Sequence, residues 1–159
     1  MSNQYFDNNP NLRSEEKEIK YYFKGEYMQK SGGIVLSKDF KKIAIVVRNE
    51  NEYSFPKGHL EKGETLVECA KREVLEETAY DVKLLKEDSI GSYEYDNKEG
   101  HIITYMYLFQ AENPTKKIIK EEDREKMIWV PFEEVEDILS YQNLKDFWNS
   151  IKNNIKRLY

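Results

Sequence analysis

A single cysteine, Cys69, stands in 159 residues, so no internal disulfide can form. A chain that does without such cross-links suits a reducing compartment, and a cytoplasmic location is the expectation. Histidine is nearly as scarce, with His59 and His101 the only two. No Ser-His or Cys-His pairing therefore suggests an activated nucleophile, and a covalent intermediate is not expected. No stretch approaches the roughly 20 apolar residues of a membrane span, and the polar start from Met1 to Glu18 has no apolar signal core. No membrane partner is expected. Positive charge is also in deficit, with 25 Lys and Arg against 30 Asp and Glu, a net charge of −5. That balance excludes broad attachment to nucleic acid through charge alone. An anionic ligand would need a local positive site or a bound cation.

What is present suffices for a packed core. Hydrophobic residues make up 39% of the chain and aromatic residues 13%, which fits one compact domain. Residues 1–25 read as a polar, mobile tail, and residues 26–159 as a single domain. Gly32 to Leu36 and Lys42 to Arg48 read as strands, the second containing Ile43, Ala44, Ile45, Val46 and Val47. A brief extended piece is expected at Tyr53 to Phe55, because Pro56 turns the residue before it away from helix. Further strands are expected at Val82 to Leu85, Ile90 to Asp96, His101 to Gln110 and Met127 to Val130, with turn chemistry at Asn97 to Gly100. Three helices are predicted. The first runs from Thr65 to Thr78, where Thr65 and Glu68 form a capping-box pattern. The second follows Pro131 and covers Phe132 to Leu139. The third covers Asn143 to Leu158, with Leu144, Phe147, Trp148, Ile151, Ile155 and Leu158 at helical spacing. The fold class that results is α/β, a mixed sheet flanked by helices.

Gly58 to Tyr80 carries the chemistry. On a helix, Glu73, Glu76 and Glu77 fall at i, i+3 and i+4 and share one face. Val67, Ala70 and Val74 form the neighbouring apolar stripe, so the carboxylates sit beside a buried edge. Like charges at this spacing repel, and near a helix C-terminus the dipole disfavours them further. Such a cluster invites a cation, and hard oxygen ligands suit Mg²⁺ or Mn²⁺. Taken alone, the same face also suits an ordinary solvated helix surface. The wider pattern of Gly58, Glu64, Arg72, Glu73, Glu76 and Glu77 alters that balance. Six fixed residues at this spacing arise by chance on the order of 10⁻⁶ per starting position.

Gly58, five residues, Glu64, seven residues, then Arg72-Glu73-Val74-Leu75-Glu76-Glu77 resembles the Nudix box. The resemblance covers the box closely and the strand order around it loosely. It implies the Nudix fold, an α/β/α sandwich with a mixed β-sheet and the box as loop-helix-loop. It implies that Glu73, Glu76 and Glu77 hold the catalytic cations, and that the Gly58 carbonyl adds a ligand. By the same resemblance Arg72 orients the carboxylates, and Glu64 supports the loop and can add to metal binding. One departure stands out. The family usually has Gly and then an aliphatic residue where this chain has Ala79 and Tyr80. If position 79 needs a positive φ, Ala costs about 1 kcal/mol or more there.

Around the box, Pro56-Lys57-Gly58-His59 resembles the dinucleoside-polyphosphate branch of the family. Lys57 is a candidate phosphate contact and His59 a candidate substrate contact, though either also suits a solvated loop. Tyr93, Tyr95, Tyr105 and Tyr107 could stack on a nucleobase or serve as sheet packing, and Tyr95 is the candidate taken forward. Glu121, Glu122, Asp123 and Glu125 form an acidic run before the last strand. Glu122 is chosen from it as a further ligand or base. Cys69 reads as inert filling. The expected activity is metal-dependent hydrolysis of a phosphoanhydride bond by water, in a small nucleotide such as diadenosine tetraphosphate. The alternatives are ADP-ribose or another ADP-sugar as substrate, and a non-catalytic nucleotide sensor. A structural domain with an acidic docking face is a further one.

Overall fold

The computed structural model describes residues 27–115 and 126–159. The expected tail at 1–25 and Glu122 lie outside the described residues. Among the described residues eight strands form one sheet. They are β1 (Tyr27–Leu36), β2 (Lys42–Arg48), β3 (Glu52–Ser54), β4 (Lys57–His59), β5 (Tyr80–Leu84), β6 (Gly91–Asn97), β7 (Gly100–Pro114) and β8 (Lys126–Pro131). The described helices are α1 (Leu66–Thr78), α2 (Val135–Ile138) and α3 (Gln142–Leu158).

The spine of the sheet runs β3-β2-β1-β7-β5, with β4 on β1, β6 on β7 and β8 on β2. β1 and β7 pair in parallel and every other pair is antiparallel, so the sheet is mixed. β7 accompanies β1 along its whole length, from Tyr27↔His101 to Leu36↔Gln110. The other edge of β1 changes partner. β4 takes Lys30 to Gly32, and β2 takes Leu36. Gly32 makes this junction possible, because a Cβ there would run into the Pro56 carbonyl and Lys57.

Alternation along the strands sorts side chains to two faces. Ile34 and Leu36 of β1, Ile43 and Ile45 of β2, and Met106 and Leu108 of β7 meet α3 through Phe147, Trp148 and Ile151. Val35, Ala44, Phe109 and Ala111 point the other way and meet α1 through Ala70 and Val74. Helix, sheet and helix therefore stack as three layers. Full burial of a side chain such as Leu144, Phe147 or Ile151 contributes about 1.5–3 kcal/mol. This anchoring fixes the N-terminal end of α3 beside the sheet, where Tyr141, Asn143 and Leu144 border a cleft.

The sequence expectations meet this fold unevenly. β2 has the predicted bounds, and α1 begins after Thr65 with both halves of the capping box formed. β1 and β7 extend beyond their predicted ends, and β5 starts two residues earlier than predicted and stops at Leu84, one residue short. β4 is a correction, since Lys57 to His59 read as loop and instead pair with β1. The helix predicted over Phe132 to Leu139 is a 3₁₀ turn at Phe132–Glu134 followed by four α-helical residues. No side chain caps either piece, and Ser140 N donates to Tyr53 O at 3.1 Å, which draws the chain back to β3. Among the described residues no helix is long and apolar enough to cross a membrane.

Candidate functional site

The capping box fixes where α1 starts, and the start fixes where its carboxylates point. Thr65 Oγ1 accepts from Glu68 N at 3.1 Å, and Glu68 Oε1 accepts from Thr65 N at 3.0 Å. Two turns later, Glu73 and Glu77 lie on the buried side, 9% and 8% exposed, while the Glu76 side chain is half exposed. All three line one cleft of about 430 Å³ with Gly58, Arg72, Lys57 and His59.

Arg72 ties this cluster together. Its Nε donates to Glu64 Oε2 at 2.6 Å and its Nη1 to Glu73 Oε2 at 2.8 Å. Nη2 donates to the His59 carbonyl at 3.0 Å, and Nη1 lies 3.4 Å from Glu76. Burial opposes the charge on this guanidinium, but the Glu64 hydrogen bond and the Glu73 charge outweigh it and hold the pKa above its ordinary value. Glu64 also accepts from Glu61 N at 3.0 Å, which closes the loop ahead of the helix. Arg72 thus lies between Glu64 and Glu73 and is in contact with both.

Glu73 sits against Gly58. A Cβ at position 58 would overlap the Glu73 carboxylate, so only glycine leaves room for it. Burial pushes the Glu73 carboxyl above the usual carboxylate range, Arg72 pulls it back, and Glu76 pushes it up again. Glu77 is held from the other side. Lys57 N donates to its Oε1 at 3.2 Å, and Arg48 Nη2 lies 3.4 Å from its Oε2. Cys69 packs beneath the loop, with its Sγ 3.4 Å from the His59 carbonyl and 3.7 Å from that of Gly58.

The donor set fits a hard divalent cation. Glu73, Glu76, Glu77 and the Gly58 carbonyl offer oxygen, and the two buried carboxylates carry charge in a place that disfavours it. Among the described residues no three acidic, imidazole or thiol groups are gathered closely enough to hold an ion as they stand. Arg72 and Arg48 supply the positive charge instead, and the carboxylates would turn from them to a metal.

A second cleft, of about 490 Å³, adjoins the first and shares Lys30, Arg48 and Lys57 with it. Tyr95 and Tyr141 wall it. Tyr95 accepts a hydrogen bond from Lys30 Nζ at 3.1 Å, and the two rings of Tyr93 and Tyr95 stack 6.2 Å apart. Tyr93 itself is buried and packs on Phe147, so its ring serves the core. Tyr105 and Tyr107 line neither cleft. His59 lies at the mouth of the first cleft, its Nε2 3.0 Å from Met28 Sδ and 3.9 Å from Glu99 Oε1. Sequence reasoning missed Lys30, Arg48, Ser54 and Tyr141. Cross-strand register brings Lys30, Arg48 and Ser54 together, the start of α3 adds Tyr141, and no spacing in the chain signals it.

A sequence model of the NUDIX domain matches residues 27–155. The chain is 27% identical over 150 residues to Nudix hydrolase 13, mitochondrial, of Arabidopsis thaliana, covering 87% of this chain and 72% of that one. It is 30% identical over 126 residues to the putative mutator protein MutT4 of Mycobacterium tuberculosis, covering 70% of this chain. It spans about half, 49%, of that relative's length. Among solved structures, a C. elegans Ap4A hydrolase matches with a TM-score of 0.63 at 18% identity, covering 84% of this chain and 99% of that one. A Nudix-family hydrolase from Clostridium perfringens matches with a TM-score of 0.64 at 14% identity, over the same shares.

Proposed function

The chain belongs to the Nudix hydrolase family, and from that premise we propose that it hydrolyses a phosphoanhydride bond at the Glu73, Glu76 and Glu77 cleft, in a dinucleoside polyphosphate such as diadenosine tetraphosphate. One observation carries the substrate reading. The carboxylate cleft and the tyrosine-walled cleft share Lys30, Arg48 and Lys57, so together they form one groove that suits an extended anion with a base at its end. Pro56-Lys57-Gly58-His59 supports it, through its resemblance to the dinucleoside-polyphosphate branch.

In the reaction, a water oxygen bonds to phosphorus and gives up a proton to solvent, the bridging P–O bond breaks, and the leaving phosphate oxygen keeps the electron pair. Glu73, Glu76, Glu77 and the Gly58 carbonyl would hold Mg²⁺ or Mn²⁺. Such an ion, when bound, lowers the pKa of a water and offsets charge on the leaving phosphate. The chain's own part is position and field. Arg72 braces Glu73 against Gly58, the Lys57 amide aims Glu77, and the Lys57 side chain lines the path of the phosphates. Tyr95 offers a ring to a nucleobase, a contact that stabilises by about 1–3 kcal/mol per base. His59 is a further substrate contact at the mouth. Glu122 stays our candidate for an added ligand or base. A reducing, cytoplasmic setting also remains our proposal, resting on the lone and buried Cys69.

The test is kcat/KM for diadenosine tetraphosphate against ADP-ribose under the same Mg²⁺, with products separated by chromatography. The expected result is a preference for the tetraphosphate and its asymmetric cleavage to ATP and AMP. A preference for ADP-ribose, or cleavage in the middle of the bridge, would overturn the substrate reading.

A further inference from the structure

Charge is sorted along the groove. The inner end holds the carboxylates Glu73, Glu76 and Glu77. The middle wall, common to both clefts, holds Lys30, Arg48 and Lys57. The outer end holds Tyr95 and Tyr141 with Asn97 and Asn143, and its own acids, Glu52 and Asp96. Three cations from three strands thus meet at one place in a protein of net charge −5. Arg48 pairs with Glu77, and Lys30 Nζ donates to Tyr95 OH while lying 5.7 Å from the centroid of that ring, whereas it is the Lys57 backbone amide that donates to Glu77.

Two buried hydroxyls bear on the same region. Ser54 and Tyr93, 5% and 8% exposed, line the outer cleft, and among the described residues neither hydroxyl has a well-formed hydrogen-bond partner. Tyr93 lines this cleft together with Arg48 and Lys30. Thr104 Oγ1 is its neighbour but likewise makes no well-formed hydrogen bond. A buried hydroxyl left without a partner is costly unless something polar arrives beside it.

We propose that Lys30, Arg48 and Lys57 form a subsite for the inner phosphates of a polyphosphate bridge, and that Lys30 is the residue that selects long bridges over short ones. The inference rests on the substrate reading above. With the scissile bond at the carboxylates, Arg48 and the Lys57 backbone lie against Glu77 and meet the bridge of either substrate, whereas the two-phosphate bridge of ADP-ribose presents a sugar to the remaining cation, Lys30, which is tied to Tyr95 in the outer cleft. A longer bridge lays phosphate oxygens against it. Lys30 is suited to the task because an ammonium has three donors and keeps Tyr95 OH while accepting a phosphate. Its bond to Tyr95 already restricts the side chain, so less freedom is lost on binding. Lys30 is a specificity residue, and no proton or bond moves through it.

The experiment compares wild type, Lys30→Gln, Lys30→Arg and Tyr95→Phe, measuring kcat and KM for diadenosine tetraphosphate and ADP-ribose in Mg²⁺, with a thermal melt of each protein. Lys30→Gln should lower kcat/KM for the tetraphosphate about tenfold or more, chiefly through KM, as loss of a charged hydrogen bond does. ADP-ribose turnover should change by less than about twofold, within the range of a site it does not reach. Lys30→Arg should recover most of the loss, and Tyr95→Phe should keep the preference for the tetraphosphate. An unchanged substrate ratio in Lys30→Gln, in an enzyme that prefers the tetraphosphate, would overturn this inference alone. Equal losses on both substrates in Lys30→Gln and Tyr95→Phe would also overturn it, because Lys30 would then only prop the Tyr95 ring. A wild-type preference for ADP-ribose would overturn the substrate reading on which it rests.

Discussion

Glu73 and Gly58 are best understood as a pair. The carboxylate occupies the space where any other residue at 58 would carry a Cβ, and Arg72 presses it there with a 2.8 Å hydrogen bond. Gly58→Ala should therefore push the carboxylate aside. Overpacking of this kind costs typically about 1–3 kcal/mol, whereas misplacing a reacting group by about 1 Å can cost on the order of 10² in rate. The expected outcome is a modest fall in melting temperature with a kcat roughly a hundredfold lower, measured on the same preparation. Glu77 invites a cleaner substitution. In Glu77→Gln the amide oxygen still accepts from Lys57 N, so the loop keeps its anchor. The charge is lost, and removal of a comparable electrostatic contribution costs on the order of 10²–10³ in kcat. Near wild-type turnover by Glu77→Gln, with the melt unchanged, would remove Glu77 from the site.

Among the elements, α1 ends on a residue of the wrong type for its backbone. Ala79 has φ 63° and ψ 29°, the left-handed region, and its N–H closes the helix on the Leu75 carbonyl. Left-handed backbone costs an L-residue roughly 1–2 kcal/mol, and glycine's greater freedom when unfolded returns part of that. Ala79→Gly should leave the melting temperature unchanged or raise it by the equivalent of up to about 1 kcal/mol, with turnover unaffected. The β6–β7 hairpin carries a pH dependence. Burial alone would lower the His101 pKa, but hydrogen bonds to Asp96 and Glu94, each 2.7 Å, together with their charges, hold it above the ordinary value. A pKa raised by folding contributes stability that is fully present below the unfolded value of about 6.5 and is lost as pH rises through the folded value. The stability advantage of wild type over His101→Gln, measured by chemical denaturation, should be largest near pH 5.5, well below that value, and should shrink at alkaline pH. An advantage that grew with pH would contradict the assignment. These elements also mark the limit of what the sequence reveals. β2 was legible to the residue because five apolar positions stand between Lys42 and Arg48, and α1 because Thr65 and Glu68 declare its start. β4 was not, because Pro56 and Gly58 both signal loop, and only pairing with Lys30 to Gly32 makes a strand of Lys57 to His59. In the site, the carboxylates were legible because one helix carries them. Lys30, Arg48 and Tyr141 were not, because each comes from a different element and only the assembled sheet and α3 bring them to one groove.

At the scale of the whole molecule, an acidic protein meets a more acidic ligand. The net charge of −5 repels a polyphosphate at long range, and the three box carboxylates repel it at close range. Lys30, Arg48 and Lys57 offset part of this within the groove. In the proposed reaction the rest would fall to divalent cations on Glu73, Glu76 and Glu77, so turnover should depend on them absolutely. Raising the salt should weaken binding of a long bridge more than that of ADP-ribose, since more charges are matched. The most direct measurement is product release from diadenosine tetraphosphate, followed by chromatography, with Mg²⁺, with Mn²⁺, and after excess chelator. ATP and AMP should appear with either metal, disappear with chelator and return when metal is restored. Undiminished hydrolysis in excess chelator would contradict the account at its centre.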